Sequence, residues 1–164
     1  MMKDAVKILL VEDNPNDVEL TLRALGALGS GGDVVVARDG EEGLDYIYRR
    51  GTFESREEGN PKVVLLDLKL PKLDGLEVLQ RIKTDPVLKT MPIVMLTSSR
   101  EERDVLKSYG LGVNAYVVKP MGFESYIETV REVGIFWGVV NEPPPEDGWR
   151  GHGGEVGERD EGTD

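Results

Sequence analysis

The sequence predicts an α/β fold: a doubly wound, five-stranded parallel sheet in the order 2-1-3-4-5, with helices on both faces. Three observations predict it. Five short apolar runs rich in Val, Ile and Leu recur between residues 6 and 118, and such runs read as strands buried on both faces. Each run is followed by apolar residues at helical spacing, and strands alternating with helices imply parallel pairing through right-handed crossovers. Polar and charged residues stand at the carboxyl ends of the runs, where open sheets of this class keep their sites. The order 2-1-3-4-5 sets the first and third strands side by side at the switch point.

Residues 6–11 are the first strand, closed by Glu12 and Asp13. Asn14 caps the following helix, with Pro15 in its first turn and Val18, Leu22 and Leu25 along one face. The glycine-rich stretch 29–32 stops it, and residues 34–37 are the second strand. Asp39 and Gly40 lead into a helix carrying Leu44, Ile47 and Tyr48 on one face, and the polar stretch 51–61 reads as a long loop or insertion. Residues 63–66 are the third strand, ended by Asp67; Pro71, Asp74 and Gly75 turn the chain into a helix carrying Leu76, Leu79 and Ile82. That helix ends near Asp85-Pro86, because the residue before a proline avoids the helical region. Residues 93–96 are the fourth strand, followed by Thr97, Ser98 and Ser99, a helix over 101–109, and the breakers Gly110 and Gly112. Residues 115–118 are the fifth strand, ended by Lys119-Pro120. The last helix runs from about 123 to 140 with Ile127, Val130, Val133, Phe136 and Trp137, and prolines 143–145 end it.

Composition bounds the function. The 164 residues suit one domain, expected over 1–140. Residues 141–164 carry eight acidic and two basic side chains and almost nothing to bury, so a disordered acidic tail is expected there. There is no cysteine, which excludes disulfides and thiolate chemistry. The net charge of -11 argues against nonspecific nucleic-acid binding. No apolar run approaches membrane length and no signal peptide precedes the first strand, so a cytoplasmic protein is expected.

The predicted topology gathers Glu12, Asp13 and Asp67 in one crevice, flanked by Thr97 and Lys119. Singly, each has an ordinary reading: a helix cap, a turn former, a surface lysine. Jointly they do not, because converging carboxylates raise one another's pKa and need a counter-charge. Lys119 is one counter-charge. A divalent ion is the other, and an all-oxygen site without His or Cys suits Mg²⁺, which keeps room for phosphoryl oxygens. In such a crevice Asp67 can attack phosphorus to give an aspartyl phosphate. Positioning and neutralisation of the equatorial oxygens are then most of what catalysis needs.

The set Val11-Glu12-Asp13-Asn14, Leu66-Asp67-Leu68-Lys69-Leu70-Pro71 with Asp74-Gly75, Thr97-Ser98-Ser99 and Tyr116-Val117-Val118-Lys119-Pro120 resembles the receiver domain of two-component response regulators. The resemblance covers about residues 5–140 and implies the flavodoxin-like receiver fold. It implies Asp67 as phospho-acceptor, Glu12 and Asp13 as the acidic metal pair, and the backbone carbonyl of Lys69 as a further Mg²⁺ ligand. It implies Thr97 as switch hydroxyl, Tyr116 as switch aromatic, Lys119 as phosphate partner and a cis Lys119-Pro120 peptide. A narrower likeness rests on Asn14-Pro15-Asn16-Asp17, the 51–61 insertion, residues 111–116, Phe136-Trp137 and Asn141-Glu142-Pro143-Pro144. These are similar to the single-domain regulators that accompany phytochrome-type histidine kinases. Ser98 stands where such domains often carry Ala, and Lys69 adds a basic side chain beside the acceptor.

The resemblance implies a histidine kinase as phosphodonor, and His152, the only histidine, lies in the expected tail. No DNA-binding segment follows residue 140, so output is expected through protein contacts, with no nucleic acid or membrane. Phe136, Trp137 and Val140 exceed what a buried stripe needs and suggest a homodimer surface on the last helix. Three rival readings fit the residues less well. A haloacid dehalogenase-type phosphohydrolase needs a second Asp where Lys69 stands. A flavodoxin-like flavin or nucleotide binder needs a glycine-rich phosphate loop, which is lacking. A receiver that works without phosphorylation would not need the full acidic set.

Overall fold

The fourth predicted apolar run shows how the sheet is made. Strand β4 (Ile93–Thr97) is buried at every position, as are β1 (Ile8–Val11) and β3 (Val63–Leu66) beside it. With β2 (Val34–Ala37) and β5 (Ala115–Val118) at the edges, the strands form one parallel sheet in the order β2-β1-β3-β4-β5. These descriptions come from a computed structural model that describes residues 8–26 and 34–145. Helices α1 (Pro15–Gly26), α2 (Gly40–Tyr48), α3 (Gly75–Lys83), α4 (Glu102–Gly110) and α5 (Phe123–Ile135) follow the strands in turn.

The central strands point alternate residues to opposite faces, so they feed two cores. Leu9, Val11, Val64, Leu66, Ile93 and Met95 pack with Leu44 and Ile47 of α2 and Val78, Leu79 and Ile82 of α3. Ile8, Leu10, Val63, Leu65, Val94 and Leu96 pack with Ala24 and Leu25 of α1 and Tyr126 and Val130 of α5. Continuous apolar runs in the sequence are the direct consequence, since neither face of the inner strands meets water.

Several expectations change in detail. Leu22 is 39% exposed, and α1 instead buries Val18, Thr21, Ala24 and Leu25. The fully buried Thr21 hydroxyl sits 3.0 Å from Tyr126 Oη, which satisfies both groups across the α1–α5 seam. On α2 the buried aromatic is Tyr46, not Tyr48. Tyr48 Oη reaches outward and donates to Asp85 Oδ2 at 3.0 Å. The 51–61 stretch is not featureless. It opens with a 3₁₀ turn, Gly51–Phe53, whose Phe53 meets Tyr46 edge-on, and Arg56 lies 4.0 Å over the Tyr46 ring. The last helix stops being α-helical at Ile135. Phe136–Val140 is a widened π turn closed by the Asn141 N–H on the Phe136 carbonyl at 2.6 Å. That widening leaves Trp137 packed on the core beneath α1 and α5 while Phe136 and Val140 stay exposed.

The Lys119-Pro120 peptide is not cis, since no described peptide bond is cis; trans is the lower-energy isomer for X-Pro bonds. Val6, the 29–32 stretch and the acidic segment from 146 onward lie outside the described residues.

Candidate functional site

The carboxyl ends of β1, β3, β4 and β5 meet at one edge of the sheet. Strand β1 pairs with β3 in the register Val11↔Leu66, so the next residues on each, Glu12 and Asp67, leave the sheet side by side. The ladder continues one step beyond the strands: Asp67 N–H donates to the Val11 carbonyl at 3.1 Å and Glu12 N–H to the Ala37 carbonyl at 2.9 Å. On the other side, Lys119 N–H donates to the Thr97 carbonyl at 2.7 Å. Asp67 Oδ1 accepts from the Leu68 N–H at 2.7 Å, which fixes the carboxylate's rotation. The chain after Asp67 folds back so tightly that a Cβ on Gly75 would collide with the Asp67 carbonyl oxygen. Glycine is therefore required there. Next to it Asp74 caps α3 by accepting from Glu77 N–H at 3.1 Å.

The structure brings together all three acids read from the sequence. Oxygens of Glu12, Asp13 and Asp67 lie within 4.8 Å of one another. Their donor set is all oxygen, carboxylate and open on the exposed Asp13 side, which fits a hard divalent cation. Lys119 is the counter-charge. Its ammonium, 7% exposed, donates to Glu12 Oε1 at 2.7 Å, Asp17 Oδ2 at 2.8 Å and Asp67 Oδ2 at 3.4 Å. Glu12 is 1% exposed, and its other oxygen accepts from the Asn14 N–H at 3.1 Å. Burial, and then the charge of Asp67, push the Glu12 carboxyl up to about 7, against the pull of Lys119. Burial works against the Lys119 ammonium, but the Asp17 hydrogen bond and the charges of Asp67 and Glu12 overcome it and hold it above the ordinary lysine range. Three carboxylates on one ammonium, with Asp13 beside two of them, leave a surplus of negative charge, and that surplus is what a cation would neutralise.

Thr97 is buried at the end of β4, and its Oγ1 accepts from the Ser99 N–H at 3.3 Å. Tyr116 packs its ring on the α2–α3 core and donates its hydroxyl to the Ser99 carbonyl at 3.1 Å. Asp67, Lys69, Thr97, Ser98 and Ser99 line one cavity, together with Arg100 and Glu101. A small molecule or phosphoryl group thus has space beside Asp67, between the ends of β3 and β4. Glu12, Asp13, Asp67, Thr97 and Lys119 lie at this edge, Lys69 lines the cavity beside it, and Tyr116 reaches toward it from within β5 through its hydroxyl.

Asp17 is the site residue that sequence reasoning passed over. It occupies the third helical position after the Asn14 cap, and its own N–H donates to Asn14 Oδ1 at 3.0 Å. An acid there reads as a first-turn residue complementing the helix dipole or closing a capping box. The signal that could have found it is spacing: it lies one turn after Asp13, on the side of α1 that faces the crevice.

A family model for the response regulator receiver domain matches residues 8–131. The chain is 41% identical to the probable methanogenesis regulatory protein FilR2 of Methanothrix harundinacea, over 87% of this chain and 90% of that protein. It is 38% identical to the response regulator Rcp1 of Synechocystis sp., over 79% and 87%. The Mn(2+)-bound form of Rcp1 superposes with a TM-score of 0.75 at 36% identity, covering 84% of this chain and 98% of that one. The phosphorylated cyanobacterial phytochrome response regulator RcpA gives 0.80 at 39% identity, covering 87% and 100%. The bacteriophytochrome response regulator AtBRR gives 0.67 at 55% identity, covering 85% and 100%. Sheet order, the acid-rich crevice at the strand ends and these likenesses agree: the chain belongs to the response regulator receiver domains, close to the single-domain regulators associated with phytochromes.

Proposed function

We propose that this protein is a phosphoryl-accepting signalling switch: Asp67 takes a phosphoryl group from a histidine kinase, of phytochrome type, and the changed surface is read by a protein partner. The observation that carries this reading is the meeting of Glu12, Asp13 and Asp67 around a buried ammonium at the open end of β3. Asp13, Asp67 and Glu12, with the Lys69 carbonyl, would hold Mg²⁺, and the bound ion would supply charge neutralisation at one phosphoryl oxygen. The similar Rcp1 in its Mn(2+)-bound form and the phosphorylated RcpA support both halves of the reading. An Asp67 oxygen forms the new O–P bond as the P–N bond of phosphohistidine breaks, and the electron pair leaves on the imidazole nitrogen. Lys119 and the Thr97 hydroxyl meet the other equatorial oxygens. The protein is not a turnover enzyme beyond slow loss of its own phosphoryl group.

Output follows from two hydrogen bonds. When Thr97 Oγ1 turns to a phosphoryl oxygen, the Ser99 N–H loses its acceptor, and the Ser99 carbonyl that holds Tyr116 moves with it. The face of α4, β5 and α5 is thereby biased between two arrangements. The net charge of -11 favours a protein reader over nucleic acid, and no helix among the described residues is long and apolar enough to cross a membrane. A cytoplasmic location is part of the same proposal.

The test is phosphotransfer from candidate histidine kinases, with and without Mg²⁺. Acid-stable, base-labile label is expected on wild type only when Mg²⁺ is present, and none on Asp67→Asn; equal labelling of both proteins would reject Asp67. A homodimer through the end of the last helix is a second reading, favoured by the exposure of Phe136 (48%), Val139 (59%) and Val140 (63%). Sedimentation should give a dimer that Val140→Asp weakens, and a monomer at high concentration would remove it.

A further inference from the structure

We propose that Asp17 is a positioning residue that holds the Lys119 ammonium away from Asp67 in the resting protein and yields it to the phosphoryl group. This rests on the reading of Asp67 as phospho-acceptor. An ammonium has three N–H donors. Here they are divided unequally: 2.7 Å to Glu12, 2.8 Å to Asp17 and only 3.4 Å to Asp67. The tighter two bonds both go to the segment that follows β1, so the resting lysine leans toward α1 and away from the acceptor. A phosphoryl oxygen on Asp67 needs one of those donors, and one present partner must give way.

The two tight partners are not equally able to do so. Glu12 is buried, 2% exposed at its side chain, and its second oxygen is fastened by the Asn14 N–H at 3.1 Å. Losing Lys119 would leave a buried carboxylate without its counter-charge. The Asp17 side chain is 26% exposed and lines a second cavity with Ser98, Arg100, Lys119 and Tyr126. Released, it turns to water at small cost. Its backbone stays capped by Asn14, so the movement is confined to the side chain.

Two consequences have opposite sign. Without the Asp17 charge, Lys119 shifts toward Glu12 and Asp67. It then compensates the acids that would hold the cation, and divalent affinity falls. The same shift brings a donor to the phosphoryl oxygens and removes one nearby negative charge, so an anionic phosphoryl group is taken up more readily. A merely structural residue would weaken both when replaced.

The experiment compares wild type, Asp17→Asn and Asp17→Glu as full chains. Mg²⁺ affinity is measured by calorimetry, and phosphoryl occupancy by intact mass at a fixed concentration of a small acyl phosphate with saturating Mg²⁺. Asp17→Asn should raise the Mg²⁺ dissociation constant and raise phosphoryl occupancy relative to wild type, each roughly two- to fivefold, as a partly exposed charge contact supplies. Asp17→Glu should lie between, because its carboxylate can still reach Lys119. Mg²⁺ affinity and phosphoryl occupancy falling together, or neither moving, would overturn the role of Asp17. If wild type accepts no phosphoryl group at all, the reading of Asp67 fails, while the Mg²⁺ arm still decides whether Asp17 governs Lys119.

Discussion

At the crevice, each side chain's behaviour is set by a shortage of positive charge. Glu12, Asp17 and Asp67 share one ammonium, and Asp13 adds a fourth negative charge beside Glu12 and Asp67. Glu12 carries the cost, with its carboxyl raised to about 7 by burial and by Asp67. The folded protein therefore binds a proton between pH 4.5 and about 7 that the unfolded chain does not. Stability from this group is present at the acidic end of that window and falls as pH rises through it. Urea melts of metal-free protein should show that slope, and Glu12→Gln should flatten it. Mg²⁺ should reverse it, because metal binding needs the ionised acids. A metal-free protein that gains stability between pH 4.5 and about 7, with no change in Glu12→Gln, would contradict this assignment.

Among the elements, the ends matter more than the bodies. Asn14, Asp39 and Asp74 each cap a helix that starts beside the site, and each cap fixes the loop next to it. At the opposite end of α3, Lys83 Nζ donates to the Lys89 carbonyl, the Met91 carbonyl and Asn114 Oδ1, at 3.0, 2.8 and 3.0 Å. One side chain thus ties the end of α3 to the turn before β4 and to the turn before β5. Lys83→Met would leave three acceptors short of a donor and should cost about 1–3 kcal/mol in chemical denaturation with an unchanged m-value; a loss near zero would show that water replaces the ammonium. At the other end of β4, the Thr97–Ser99–Tyr116 connection makes a separate prediction. Thr97→Ala should slow phosphoryl uptake on Asp67 without abolishing it and, compared at equal phosphoryl occupancy, lose most of the phosphorylation-dependent change in partner affinity. Equal changes in wild type and mutant would mean that the signal leaves by another route.

For the molecule as a whole, the topology was readable because it depends on burial. The runs at 8–11, 63–66 and 93–97 have no polar residue until the strand end, where Glu12, Asp67 and Thr97 appear. Side chains that emerge from such strands on one edge must meet, and the crevice follows from strand order alone. What stayed hidden depends on which neighbours a helix face meets. Leu22 and Tyr48 are apolar enough to be buried, but the space against the sheet is taken by Thr21 and Tyr46. Asp17 was hidden because a first-turn acid has an ordinary use of its own, and its partner lies 102 residues away. The π turn at Phe136–Val140 has no signature in a sequence that reads as one continuous helix.

The proposed signalling role requires Asp67 to be an acceptor that works only within its acidic surroundings. Intact mass of the full chain, after incubation with a small acyl phosphate, tests this directly. The gain of one phosphoryl group is expected in wild type with Mg²⁺, and no gain after chelation or in Asp67→Asn. A gain that persists in Asp67→Asn, or that ignores the metal, would contradict it.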